Sequence, residues 1–214
     1  MTTTGLKVKV CGMRESLNVS AVAALKPDYI GFIFYFKSPR FVGVLDERIV
    51  QSVRDHGIEP VAVFVNDSVE SVMEKVSMYG FKCIQLHGHE TPETCAALKA
   101  KGLKVLKAFS ISDVSDIKKT FAYETCCDYF LFDTKTSLLG GSGCQFDWNI
   151  LKEYAGTVPF FLSGGVGPED AEKVRSFHHP MLFGIDLNSR FEIQPAMKDA
   201  VLLQTFFNQL TYEK

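Results

Sequence analysis

The sequence predicts one α/β domain over residues 1–214, folded as a compact (β/α)8 barrel. Eight short apolar runs recur along the 214 residues, and segments with helical periodicity lie between them. Eight such units in one chain are typical of a closed parallel barrel near the small end of its size range. The alternative is an open doubly wound sheet, but no glycine-rich dinucleotide motif follows the first run at Cys11-Gly12.

The strands are predicted from runs that are too continuously apolar to alternate between a buried and an exposed face. This pattern is typical of parallel strands that are covered on both faces. In chain order the runs are Leu6–Cys11, Asp28–Phe34, Glu59–Val65, Lys82–His87, Lys104–Phe109, Asp128–Asp133, Val158–Ser163 and Met181–Asp186.

The helices are predicted from the segments between these runs. In Ser68–Tyr79 the apolar residues fall at helical spacing, as expected of a helix with one buried face. The segment Thr91–Lys101 opens with threonine followed by proline, which favours an N-cap and a first helical residue.

Composition excludes several classes of protein. The chain carries 23 Lys and Arg against 25 Asp and Glu, a net charge of -2, which argues against a nucleic-acid or anionic-membrane binder. Apolar runs are too short for a spanning helix, and the N-terminus has no hydrophobic stretch of a secretory signal, so we expect a cytoplasmic protein. The six cysteines contain no CxxC pair and are expected to be thiols rather than metal ligands.

Reactive side chains end several of the predicted strands. In a barrel the carboxyl ends of the strands meet at one mouth, where catalytic groups gather. Cys11, His87, Asp133 and Asp186 each end a run, which predicts a polar, catalytic mouth. By contrast, Cys126-Cys127 and His178-His179 precede strands and fall at the opposite end. We expect no metal site there.

Strand parity places Lys9 on the same face as Cys11. If both point into the barrel, the Lys9 ammonium needs a carboxylate partner and would favour the Cys11 thiolate. Cys11 is therefore either a tuned base or an inert buried thiol. Asp133 is either a general acid or the partner of Lys9, and it can be both.

Two further segments are candidate anion sites. Ser163-Gly164-Gly165 links a strand to a helix start, where backbone N–H groups can bind phosphate, although a plain tight turn has the same pattern. Arg40 lies in the long connection after the second strand. Its guanidinium can pair with a substrate carboxylate or simply face solvent.

Short motifs along the whole chain carry a family resemblance. They are Lys9-Val10-Cys11-Gly12, Gly31-Phe32-Ile33-Phe34, Ser38-Pro39-Arg40, Val63-Phe64-Val65, Gln85-Leu86-His87-Gly88, Asp133-Thr134, Gly140-Gly141-Ser142-Gly143, Phe146-Asp147-Trp148, Ser163-Gly164-Gly165, Gly184-Ile185-Asp186-Leu187-Asn188-Ser189 and Lys198-Asp199. With these motifs in this order, the chain resembles the phosphoribosylanthranilate isomerase family.

The resemblance implies a TIM barrel that catalyses an Amadori rearrangement in tryptophan biosynthesis, without a metal or an organic cofactor. By motif, Cys11 is the general base and Asp133 the general acid. Arg40, with His87 beside it, would hold the carboxylate of the anthranilate group. The remaining matched residues would bind phosphate (Gly164, Gly165, Asn188, Ser189) and line the ribose region (Asp186).

The expected partner is a small phosphorylated substrate, with no nucleic acid or membrane, and the chain is expected to be a monomer or a homodimer. Two positions depart from the family pattern, since many relatives have glycine where this chain has Arg190 and Ala196. Two rival functions are another phosphate-binding sugar-barrel enzyme and a barrel that binds a phosphorylated ligand without turnover.

Overall fold

Eight parallel strands close into a barrel, as the sequence predicts. The computed structural model describes residues 5–134 and 146–211, so the glycine-rich motif Gly140–Gly143 and Cys144 lie outside the described residues. Each strand pairs with the next in the chain, and the last pairs with the first. The strands are β1 (Lys7–Val10), β2 (Tyr29–Ile33), β3 (Glu59–Phe64), β4 (Cys83–Leu86), β5 (Lys104–Ile111), β6 (Tyr129–Thr134), β7 (Phe160–Leu162) and β8 (Leu182–Leu187).

Short helices surround the barrel and account for its compactness. They are α1 (Ser16–Ala23), α2 (Glu47–Asp55), α3 (Val69–Tyr79), α4 (Pro92–Ala100), α5 (Val114–Lys118), α6 (Ala171–Ser176) and α7 (Ala200–Thr211). A 3₁₀ helix, Trp148–Glu153, lies between β6 and β7. The predicted start of α4 is confirmed, because the Thr91 hydroxyl accepts a hydrogen bond from the Thr94 N–H and Pro92 is the first helical residue.

Alternate residues of the strands point to opposite faces of the barrel sheet, and their side chains form two separate apolar clusters. Side chains such as Val61, Leu131 and Phe161 form a cluster distinct from the larger core that includes Val8 and Val10 of β1. Lys9, between those two valines, is fully buried and contacts Asp186 of the neighbouring strand β8. The predicted parity of β1 is therefore confirmed.

A two-stranded hairpin follows β8 and was not predicted from the sequence. A 3₁₀ turn (Ser189–Phe191) leads into β9 (Glu192–Gln194) and β10 (Met197–Lys198), which pair in antiparallel fashion. Asn18 of α1 binds the backbone N–H and carbonyl of Lys198, with both hydrogen bonds at 2.8 Å. Among the described residues, no helix has the length and apolar character needed to cross a membrane.

Candidate active site

One pocket opens at the carboxyl ends of the barrel strands, where the sequence predicts the catalytic mouth. Every site residue predicted from the sequence lines it: Cys11, Arg40, His87, Asp133, Gly164, Gly165, Asp186, Asn188 and Ser189. Gln85 and Arg190 line the same pocket, although neither was among the predicted site residues.

Cys11 lies directly after β1, and the residue is 2% exposed. Its backbone N–H donates to the Leu187 carbonyl at 2.9 Å, which extends the pairing of β1 with β8 by one residue. A methyl group at Gly31 of β2 would lie 2.7 Å from the Cys11 sulfur. Glycine at this position therefore provides the space that the thiol occupies.

The buried partner of Lys9 is Asp186, with Nζ and Oδ1 2.7 Å apart. The alternative that Asp133 pairs with Lys9 is wrong. The two residues of the pair lie side by side in the register of β1 and β8, whereas Asp133 is on β6. Asp186 also accepts a hydrogen bond from the Ser163 hydroxyl at 3.3 Å, so β1, β7 and β8 are linked beneath the pocket.

The pKa of Cys11 is raised above its ordinary value, which corrects the expectation that the thiolate is favoured. Burial is the largest influence and disfavours the thiolate. The ammonium of Lys9, and to a lesser degree that of Lys198, lower the pKa but do not outweigh burial. The sequence indicated the neighbouring cation correctly, but not the degree of desolvation.

Asp133 forms a pair with His87 across the pocket. His87 Nε2 lies 3.2 Å from Asp133 Oδ2, and both side chains are partly exposed. The Gln85 side-chain nitrogen lies 2.7 Å from His87 Nδ1. Gln85 and His87 therefore form a hydrogen-bonded chain that ends on this carboxylate.

Arg40 is buried, so the alternative of a solvated loop arginine is wrong. Its guanidinium contacts both carboxylate oxygens of Glu192 in β9, through Nε at 2.9 and 3.1 Å and Nη2 at 2.7 Å. Sequence reasoning missed Glu192, which stands 152 positions away in the chain. Only the fold could reveal this contact.

A glycine turn after β7 closes one side of the pocket. Gly164 and Gly165 have φ values of 80° and 75°, a backbone region that side chains disfavour. A methyl group at Gly164 would lie 2.3 Å from the Thr134 hydroxyl oxygen and 2.5 Å from its backbone nitrogen. The turn can therefore lie against the end of β6 only with glycine at this position.

The two departures from the family pattern have different settings. Arg190 lines the pocket and forms an ion pair with Glu169. Glu169 lies shortly after the Gly164-Gly165 turn in the chain. Ala196 has a φ of 67°, so alanine here adopts the backbone region that glycine enters without strain. Arg190 is not among the described non-glycine residues with positive φ.

One group of thiols among the described residues could offer metal ligands. The sulfur atoms of Cys95, Cys126 and Cys127 lie within 4.8 Å of one another, and all three residues are buried. Sequence reasoning considered Cys126-Cys127 but missed Cys95, which α4 brings to them. None of the three lines the pocket, and five of the cysteines are free thiols: Cys11, Cys83, Cys95, Cys126 and Cys127.

The sequence and the fold match proteins of one kind. The family model described as N-(5'phosphoribosyl)anthranilate (PRA) isomerase matches residues 8–209. The N-(5'-phosphoribosyl)anthranilate isomerase of Parabacteroides distasonis is 50% identical over 210 residues, 96% of this chain and 93% of that protein.

Solved structures agree. The phosphoribosyl anthranilate isomerase of Thermus thermophilus has a TM-score of 0.81 and 25% identity, and the match covers 96% of this chain and 98% of that one. A structure of monomers generated from the dimeric enzyme of Thermotoga maritima has a TM-score of 0.77, 27% identity and the same coverage.

Proposed function

The chain belongs to the N-(5'-phosphoribosyl)anthranilate isomerase family, and we propose that Cys11 and Asp133 are the base and the acid of its reaction. The protein is an intramolecular oxidoreductase of tryptophan biosynthesis that converts an aldose into a ketose. It performs the Amadori rearrangement of N-(5-phospho-β-D-ribosyl)anthranilate to 1-(2-carboxyphenylamino)-1-deoxy-D-ribulose 5-phosphate.

One observation carries the proposed roles. Cys11 follows β1 and Asp133 lies on β6, strands separated by β7 and β8 in the barrel, yet both side chains line the same pocket. A base and an acid on separate walls can reach two different atoms of one sugar. That arrangement is what a proton transfer between carbon and oxygen requires.

The reaction begins at the furanose ring oxygen. Protonated Asp133 gives its proton to this oxygen, the ring opens, and the substrate nitrogen takes up the positive charge as a Schiff-base cation. The Cys11 thiolate then removes the proton from C2, which gives an enolamine that tautomerises to the ketone. Because the substrate nitrogen accepts the electrons, this route uses no cofactor.

Burial of Cys11 fits the role of base. A desolvated thiolate is costly to form, but once formed it is a stronger base than a thiolate in water. The ammonium groups of Lys9 and Lys198 partly offset the cost. His87 lies beside Asp133, with Nε2 3.2 Å from Oδ2, so a proton can pass between the two side chains.

The remaining pocket residues bind the two ends of the substrate. Arg40 takes the anthranilate carboxylate, with His87 near that end. The backbones of the Gly164-Gly165 turn and of Asn188-Ser189 take the phosphate, and Asp186 lines the ribose region. Guanidinium groups suit planar carboxylates, and exposed backbone N–H groups suit phosphate oxygens.

The further assignments concern the setting of the enzyme. We propose that its partner is this small phosphorylated substrate rather than a nucleic acid or a membrane. The chain works as a monomer or a homodimer in the cytoplasm, where an enzyme of amino-acid biosynthesis meets its substrate. Sedimentation equilibrium decides between the two oligomeric states.

The roles of Cys11 and Asp133 are tested by the loss of anthranilate-type fluorescence after addition of freshly generated phosphoribosylanthranilate. We expect Cys11→Ala and Asp133→Asn each to lower kcat by about 100-fold or more, the usual scale for a general acid or base. Cys126→Ala removes a buried thiol outside the pocket and serves as the control, with normal kcat expected.

Circular dichroism checks that each variant keeps its fold. Near-normal turnover in either pocket variant would remove that residue from its role. Wild-type protein that is stabilised by a phosphorylated product analogue but shows no turnover would instead indicate a binding protein.

A further inference from the structure

The guanidinium of Arg40 is held from behind by a carboxylate that does not line the pocket. Glu192 binds Nε and Nη2, and the side chains of the two residues are only 8% and 5% exposed. Arg40 is one of the residues that line the pocket, whereas Glu192 is not among the described lining residues. Glu192 therefore acts on a bound molecule through residues that line the pocket, and Arg40 is the lining residue that it contacts directly.

The contact uses one of the two edges with which a guanidinium binds a carboxylate. A guanidinium is planar and carries five N–H groups in a fixed arrangement. Glu192 occupies the edge formed by Nε and Nη2. Among the described residues, none binds Nη1 of Arg40, so the end formed by Nη1 and the second hydrogen of Nη2 can bind a second carboxylate in a bidentate manner.

Glu192 is itself fixed by the β9–β10 hairpin. Its Oε1 accepts from Lys198 Nζ at 2.6 Å and from the Ala196 N–H at 3.1 Å. Lys198 is fully buried, and its ammonium also binds Asn188 Oδ1 at 2.9 Å. These hydrogen bonds fix the position of the Glu192 carboxylate. Because Arg40 binds this carboxylate, its guanidinium is held in one orientation.

The side chains of Arg40, Glu192 and Lys198 together carry a net positive charge, which favours the binding of an anion. Arg40 and Lys198 are cations and Glu192 is the anion between them. The three together carry one net positive charge in a poorly hydrated place. An incoming substrate carboxylate at Arg40 neutralises that charge, and desolvation strengthens the attraction.

We propose that Glu192 is a positioning residue that selects the edge of Arg40 presented to the pocket and thereby sets recognition of the aromatic carboxylate of the substrate. This inference rests on the proposed function, in which Arg40 binds that carboxylate. Lys198 contributes indirectly, because it binds Glu192 and so helps to fix the carboxylate that orients Arg40.

A double-mutant cycle distinguishes positioning from a merely structural ion pair. The variants are Glu192→Gln, Arg40→Ala and the two combined, assayed with phosphoribosylanthranilate. We expect Glu192→Gln to raise KM about tenfold, the loss that corresponds to one well-oriented charge-assisted hydrogen bond, with a smaller change in kcat. In the Arg40→Ala background the same substitution should change KM less than about twofold.

Two measurements keep the result specific to the carboxylate end. The inhibition constant of inorganic phosphate should change less than KM in Glu192→Gln, because Glu192 contacts Arg40 directly but reaches the Asn188 turn through Lys198. Asp28→Asn is the matched control, since it removes the carboxylate that pairs with Lys7 outside the pocket, and it should leave KM unchanged.

An equal rise in KM in both backgrounds would overturn the proposal, because Glu192 would then act independently of Arg40. An unchanged KM in the single variant would also overturn it. If Glu192→Gln does not fold, Glu192→Asp replaces it in the same cycle. This variant keeps the negative charge, but its side chain is one methylene shorter, so the carboxylate lies farther from Arg40. Absence of turnover in the wild-type protein would instead refute the proposed function.

Discussion

Opposing electrostatic influences meet at the Cys11 thiol. Burial raises its pKa, and the neighbouring Lys9 ammonium lowers it without cancelling the effect of burial. The pKa of Lys9 is itself raised: burial alone would lower it, but the Asp186 carboxylate outweighs burial. Lys9 therefore stays charged over the working range of the enzyme. A thiol with a raised pKa is deprotonated only in a small fraction at neutral pH, so we expect the fraction of Cys11 present as thiolate to increase with pH.

Removal of the Lys9–Asp186 pair should shift this pH dependence further upward. The double variant Lys9→Met/Asp186→Asn leaves no unpaired buried charge, and Lys9 influences Cys11 more strongly than Asp186 does. The apparent pKa of Cys11 should therefore rise. Thiolate absorbance, followed as a function of pH with Cys11→Ala as the blank, measures it. An unchanged pKa would remove Lys9 from the account of Cys11.

At the scale of an element, β2 is shaped to fit the end of β1. Gly31 faces Cys11, and a methyl group there would lie 2.7 Å from Sγ and 3.2 Å from Cα. Because the closest contacts include backbone, a larger residue would have to move the end of β1 rather than a flexible side chain. The position of the thiol thus depends on a residue of the neighbouring strand.

Gly31→Ala should lower kcat about tenfold or more while the barrel still folds, since a shift of about 1 Å in a reacting group can cost up to 100-fold. Gly57→Ala is the control. Gly57 has a φ of 76° and nothing within 4 Å of an added methyl group, so this variant should lose stability but keep kcat. A normal kcat in Gly31→Ala would show that Cys11 does not depend on this space.

Sequence reasoning had uneven success among the elements. All eight strands were predicted, because a continuous apolar run identifies a strand that is covered on both faces. The β9–β10 hairpin was not predicted, because its strands have three and two residues and carry no clear alternation. That hairpin supplies Glu192 and Lys198, so the missed element is the one that orients Arg40.

For the whole molecule, ion pairs of buried carboxylates link stability to pH. Burial alone would raise the pKa of Glu192, but Arg40 and Lys198 outweigh it and lower the pKa. In the same way Lys119 and Ser112 outweigh burial at Asp116 and lower its pKa. Both carboxyl groups therefore bind protons more readily in the unfolded chain than in the folded one. Such groups contribute stability above their unfolded pKa, and the contribution is lost as the pH falls.

The free energy of unfolding should consequently decrease as the pH falls below about 4.5, the region where unfolded Glu and Asp begin to take up protons. Each group contributes at most about 1.4 kcal/mol per pH unit. Glu192→Gln should be less stable than wild type at pH 7 but show a shallower decrease towards pH 3, measured by urea unfolding at each pH. Parallel curves for the two proteins would contradict this linkage.

The sequence by itself determined the barrel and the mouth at which reactive side chains gather, because the periodicity of apolar residues identifies the strands and their ends. Short motifs identified the individual pocket residues, of which Cys11 is the first in the chain and Ser189 the last. Only the tertiary structure decided which charges pair. Lys9 meets Asp186, and Arg40 meets Glu192 across 152 positions. Such contacts depend on strand register and on the path of a short hairpin. The raised pKa of Cys11 depends likewise on burial, which arises only when the whole barrel closes.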